Sequence, residues 1–172
     1  MTLQNFELTD NNHFIALERR RLFFKGIYLV LITSNYLVGL QLNNSLSTES
    51  TETLFAPETQ PSPKPRGSFN NPYSYLKEKQ VRAIEKKYLY DLGIFGVNKY
   101  NFRIDRNEVK SVLADTKKVS WLRHPHDGTV YITTRQAKPN PSINKSLNID
   151  RKELIVLGDQ SAKDIAKWIL TR

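Results

Sequence analysis

From Phe23 to Leu42 the chain is apolar almost without interruption, reading FFKGIYLVLITSNYLVGLQL with the polar pair Ser34-Asn35 inside it. The β-branched and aromatic content predicts two strands, at about 23–33 and 36–42, joined by a turn at Ser34-Asn35. Ahead of them, residues 1–22 are mixed, and Phe14, Leu17 and Arg21 suggest a short helix or an irregular lead-in. Behind them, residues 43–72 lose all periodicity, and the Pro, Ser and Thr content reads as a flexible insertion. Residues 73–92 recover a helical period through Leu76, Gln80, Ala83/Ile84, Tyr88 and Leu92, with Val81 and Leu89 widening the stripe. Ser74 is the expected N-cap and Gly93 the expected stop. Lys77, Lys79, Arg82, Lys86 and Lys87 cover the opposite side.

From Tyr100 the period changes to two. Tyr100, Phe102 and Ile104 alternate with Asn101, Arg103 and Asp105, and the segments EVKSVLAD, KVSWLR, TVYITTR, KSLNI and ELIVLG follow. Asp127-Gly128 has the composition of a tight hairpin turn. The chain ends on a helical pattern in which Ser161 and Asp164 form a capping box. Ala162, Ile165, Trp168 and Ile169 make its apolar face, and Trp168 offers the largest area to bury. Short, closely spaced strands read as antiparallel, and period-two strands need a second layer, which that helix can supply in part. The expected fold is α+β and mainly antiparallel, a split barrel closed by the C-terminal helix, in one domain over residues 1–172.

Leu29-Val30-Leu31-Ile32-Thr33 followed by Tyr36-Leu37-Val38-Gly39 resembles a hairpin common in the bacterial pleckstrin-homology-like and GRAM-like barrels. Phe102-Arg103-Ile104-Asp105 through Val112 is similar to a later strand of those barrels, and Trp168 to the tryptophan of their closing helix. The resemblance implies a pleckstrin-like barrel. Tyr36 stands where the family pattern has a basic residue, and residues 43–93 have no counterpart in it. In phosphoinositide-binding relatives a basic cluster surrounds the first hairpin turn. Here Ser34 and Asn35 occupy that turn, so no lipid site carries over from the resemblance.

The most apolar part of the chain, Gly26 to Leu42, also admits a membrane reading. Arg19, Arg20, Arg21 and Lys25 precede it as they would a signal anchor. Its uncharged part is barely as long as a spanning helix, and Ser34 and Asn35 fall where polar groups are most unfavourable. A buried hairpin is therefore the expected structure, with a membrane-anchored or membrane-surface protein using residues 22–42 as the alternative.

The formal charge is +9, from 26 Lys and Arg against 17 Asp and Glu. Such an excess attracts anionic partners, and Arg19, Arg20, Arg21 and Lys25 are the best candidates for an anionic surface. The chain has no cysteine, which removes thiolate chemistry and fits a cytoplasmic location. Among histidines, His124 and His126 with Asp127 are the one metal-like grouping, but Pro125 interrupts the strand and no fourth ligand is evident, so a structural turn is expected and no metal. Nucleophile-elbow and phosphate-loop motifs are absent, and no catalytic residue or cofactor is expected. The function expected is a non-catalytic binding or adaptor domain with a basic surface. A nucleic-acid-associated factor is a further alternative, through Tyr100-Asn101-Phe102-Arg103 and Trp121-Leu122-Arg123, although Tyr100, Phe102 and Ile104 are expected in the core.

Overall fold

Seven antiparallel strands form a single curled sheet, a half-barrel with the order β4-β3-β2-β1-β7-β6-β5. The strands are β1 (His13–Arg20), β2 (Phe23–Ile32), β3 (Tyr36–Gln41), β4 (Phe102–Asp105), β5 (Val109–Asp115), β6 (His126–Thr134) and β7 (Arg151–Leu157). Among the described residues three helices complete the fold, α1 (Glu78–Ile84), α2 (Gly93–Val97) and α3 (Ala162–Leu170), with a 3-10 turn at Arg106–Glu108. The computed structural model describes residues 2–20, 23–42, 76, 78–85, 87–89, 93–118, 126–135 and 151–171.

The middle of the sheet, from β3 through β2 and β1 to β7, is buried on both faces. Its inner face carries Phe14, Ala16, Tyr28, Val30, Leu37, Phe102, Ile132, Leu154 and Val156, packed with Ala162, Ile165, Ala166 and Ile169 of α3. Its outer face carries Ile15, Leu17, Leu29, Leu31, Val38, Leu40 and Ile155, packed with Leu3, Phe6, Leu76, Ile84, Leu89 and Ile94. This accounts for the uninterrupted apolar run. A strand covered on one side alternates, whereas one covered on both sides does not. Residues 26–42 are thus the β2–β3 hairpin at the heart of the sheet, with Val30 opposite Gly39 and Ile32 opposite Leu37. Among the described residues no helix is long and apolar enough to cross a membrane.

Several expectations change. Residues 13–20 are neither helix nor lead-in but β1, which pairs with β2 on one side and β7 on the other. The described helix within 73–92 covers only Glu78–Ile84. Leu76, Ile84 and Leu89 are buried as expected, but Ala83 and Tyr88 are exposed. Tyr88 forms a backbone bridge with Thr2, and the Gln4 amide donates to the Glu85 carbonyl at 3.4 Å, which ties the N-terminal segment to this helix. Gly93 begins α2 rather than ending a helix. Residues 43–72, His124, and the strands expected at KSLNI and through Trp121-Leu122-Arg123 lie outside the described residues.

Asp127-Gly128 is not a hairpin turn. Both residues lie within β6, where the pairing with β7 shifts register between His126 and Thr129. Gly128 has φ +96°, and a Cβ there would come within 2.1 Å of the Asp115 carbonyl oxygen. A tight turn and a bulge ask the same backbone freedom of glycine, so the dipeptide suits both.

Arg106 locks the closing helix onto the sheet. Its Nε and Nη2 donate to the Ile169 carbonyl at 3.2 and 2.7 Å, and Nη2 donates to Trp168 O at 3.0 Å and to Thr171 O. Nη1 donates to Thr33 O at 2.8 Å and Ser34 O at 3.3 Å. One buried guanidinium therefore satisfies the orphan carbonyls at the end of α3 and those of the β2–β3 turn.

At the other end of α3, Ser161 Oγ accepts from the Asp164 amide at 3.4 Å, as the capping box predicts. Trp168 is only half-buried, while Ile165 is fully buried against the sheet. The large ring is therefore not the main anchor. Trp168→Ala is expected to lose on the order of 2 kcal/mol and Ile165→Ala about 3 kcal/mol. Denaturant melts compare the two, and a larger loss at Trp168 contradicts this packing.

Candidate functional site

The basic residues that precede the apolar run are carried by strands. Arg19 and Arg20 end β1, Lys25 lies in β2, and Arg21 falls in the short connection outside the described residues. Pairing shifts between Glu18 and Arg19: Glu18 faces Gly26 and Arg19 faces Phe24, which leaves Lys25 as the extra residue of a bulge. Arg19 points to the outer face and meets Glu153 of β7 at 3.4 Å. The pair is partly exposed, so its contribution to stability is small. Arg151, at the start of β7, lies on the same end of the sheet and stacks over the Tyr131 ring at 4.5 Å.

Beneath this basic end, on the inner face, is a charge cluster that sequence reasoning missed. Lys152 Nζ meets Glu18 Oε1 at 2.7 Å, with side-chain exposures of 2% and 7%. The ammonium sits 3.6 Å from the Phe102 ring centroid and 5.5 Å from that of Tyr28. The two rings lie 5.3 Å apart, tilted by 54°. Phe102 reaches the cation because its partner in β3 is Gly39, where an added Cβ would come within 2.0 Å of the ring. The Tyr28 hydroxyl hydrogen-bonds Glu18, and burial, reinforced by the Glu18 charge, holds its pKa far above the ordinary phenol value. Tyr28 therefore remains a donor to the carboxylate. Carboxylate, ammonium, hydroxyl and two aromatic faces satisfy one another, as a charge removed from water requires.

The signal for this cluster was phase. Glu18 continues the inward series Phe14, Ala16, and Lys152 begins the inward series Leu154, Val156. A charged residue in the inward phase of a strand is a candidate for a buried pair, but only once the strand itself is recognised.

Beside the cluster, polar groups tie α2 and the start of β4 to β3. Asn101 Oδ1 accepts from the Gln41 amide at 2.8 Å, and Asn101 Nδ2 donates to Ile94 O at 3.1 Å. Asn98 Nδ2 donates to Gln41 Oε1 at 3.0 Å. Of the expected aromatic series, Phe102 and Ile104 are buried, whereas Tyr100 is exposed under Lys99.

The histidine-rich segment has a structural role at Asp127. Asp127 Oδ2 accepts from the Ala162 amide at 3.1 Å and thereby caps the first turn of α3 from β6. His126 is buried opposite Leu157. Among the described residues no group of three His, Cys, Asp or Glu side chains is placed to hold a metal ion. Comparison with protein-family models, curated proteins and solved structures yields no match, so the site is read from its own chemistry.

Proposed function

We propose that this chain is a non-catalytic binding domain of pleckstrin-homology-like organisation that meets an anionic surface in the cytoplasm through the β1–β2 end of its sheet. The observation that carries the reading is the placement of the basic cluster. Arg19 and Arg20, expected ahead of the first strand, end β1, and Lys25 lies in β2, so all three belong to one hairpin, with Arg21 between them in sequence. Arg151 adds a positive charge at the same end. Backbone pairing holds these positions on a rigid support. The curled antiparallel sheet and the helix that follows β7 support the pleckstrin-like reading.

Cosedimentation with vesicles tests the proposal. The full chain is expected to bind phosphatidylserine-containing vesicles at low salt, to ignore pure phosphatidylcholine, and to be released at about 0.5 M salt. Reversing Arg20, Arg21 and Lys25 to Glu together is expected to weaken binding on the order of 100-fold. Binding that resists salt and yields only to detergent returns the anchor reading of residues 22–42. Salt-sensitive binding to single-stranded RNA without vesicle binding moves the function to nucleic acid.

A further inference from the structure

A cleft of about 220 Å³ lies at the opposite end of β1, lined by Leu8, Asp10, His13, Ile15, Leu157, Asp159 and Gln160. It is walled by the loop before β1 and by the connection from β7 to α3. That loop is well braced: Asn12 Oδ1 accepts from the Thr9 amide at 2.8 Å, Asn12 Nδ2 donates to Glu7 O at 2.8 Å, and the Asn12 carbonyl accepts from the Ile32 amide at 2.7 Å. On the far side, Gln160 Nε2 donates to the His13 carbonyl at 2.9 Å.

His13 is 8% exposed and its Nδ1 lies 2.7 Å from the Thr9 carbonyl. A carbonyl only accepts, so Nδ1 carries the hydrogen and Nε2 presents a lone pair. Burial lowers the His13 pKa from its usual 6.5, against the smaller opposing effects of the Thr9 carbonyl and Asp10, so the ring is neutral at pH 7. Among the described residues Nε2 has no hydrogen-bond partner, and neither Asp10 nor Asp159 has an ion-pair partner. With Gln160 Nε2 already engaged, its Oε1 is a further acceptor. The cleft thus gathers acceptors and negative charge on a protein of net charge +9, over apolar walls from Leu8, Ile15 and Leu157.

We propose that this cleft binds an ammonium or guanidinium group carried on a short aliphatic stem. The head has several donors and a positive charge, which answer the imidazole lone pair, the two carboxylates and the amide oxygen. The stem answers the three apolar side chains. The volume corresponds to roughly seven waters, enough for such a head with its stem. The ligand is either a free small amine or the basic side chain of another protein, and both present the same head and stem.

The test is a titration of the full chain followed by the ¹⁵N resonance of His13 Nε2. Butylammonium is expected to move that resonance saturably, because Nε2 becomes a hydrogen-bond acceptor. Tetramethylammonium, which has the charge but no donor, is expected to leave it in place. Asp159→Asn, at an exposed position, is expected to weaken butylammonium at least about tenfold with the rest of the spectrum unchanged. Nα-acetyl-lysine amide separates the sources: binding at least as tight as butylammonium indicates a protein side chain, and weaker binding a free amine. No shift with either amine, an equal shift with tetramethylammonium, or saturable zinc binding at His13 overturns the proposal.

Discussion

Lys152→Met is expected to destabilise the domain by about 3–5 kcal/mol, because it leaves the Glu18 carboxylate in the sheet interior without its cation. Glu18→Leu is expected to do the same from the other side, stranding an ammonium that touches two aromatic rings. The double variant removes both charges and is expected to return to within about 1–2 kcal/mol of the original chain, since apolar replacements of buried pairs are often neutral or better. Urea melts at pH 7 of the three variants decide this. Single losses below about 1 kcal/mol, or losses that simply add, would show that water reaches the pair. Tyr28 adds an alkaline limit. Its folded pKa is raised, so its contribution is full below the ordinary phenol value of about 10 and fades as pH climbs beyond it, where the unfolded chain releases the proton. Tyr28→Phe is expected to flatten that part of the stability profile.

Arg106→Ala is expected to remove about 4 kcal/mol and to loosen α3 selectively. The guanidinium is the donor for carbonyls at the end of α3 and in the β2–β3 turn, and two of its strongest bonds, to Ile169 and Thr33, are buried. Bonds from a charged donor are worth about 1.5–3 kcal/mol each, and the stranded carbonyls lose their partners as well. Arg106→Lys is expected to recover less than half. An ammonium is a point donor and lacks the planar fork that spans two segments at once. Hydrogen exchange resolves the location: amides of α3 should lose protection before those of β1 and β2. A lysine variant as stable as the original chain would mean that charge, not fork geometry, holds the helix.

The β2–β3 hairpin was legible because Ile27, Tyr28, Val30, Ile32 and Val38 favour strands and Ser34-Asn35 favours a turn. The closing helix was legible from Ser161, Asp164 and the spacing of Ile165 and Ile169. β1 was not, although its inward and outward residues alternate. Its sequence HFIALERR is rich in Ala, Leu, Glu and Arg, which are good helix formers, and only pairing on both sides overrides that preference. The misreading hid the buried pair, since Glu18 is remarkable only when its strand phase is known. It also left Arg19 and Arg20 outside the sheet. Trp168 was overvalued for a different reason. Residue size measures the area available to bury, and the helix rotation that seats Ile165 and Ile169 leaves the ring half out.

Glu18 and Lys152 stand 134 positions apart in the chain, yet their strands are neighbours at the centre of the sheet. During synthesis β1 can pair with β2 early, but its other edge waits for β7, the last strand of the sheet to emerge. Until then an apolar strand edge stays open, the kind of template on which partly made chains associate. Joining β7 also closes a very long loop, which slows the search for the native pairing. Both charges remain hydrated until that moment and lose their water together. A one-residue slip of β7 would turn Lys152 to the outer face and leave Glu18 buried without its cation, so the pair favours the native register over its neighbours.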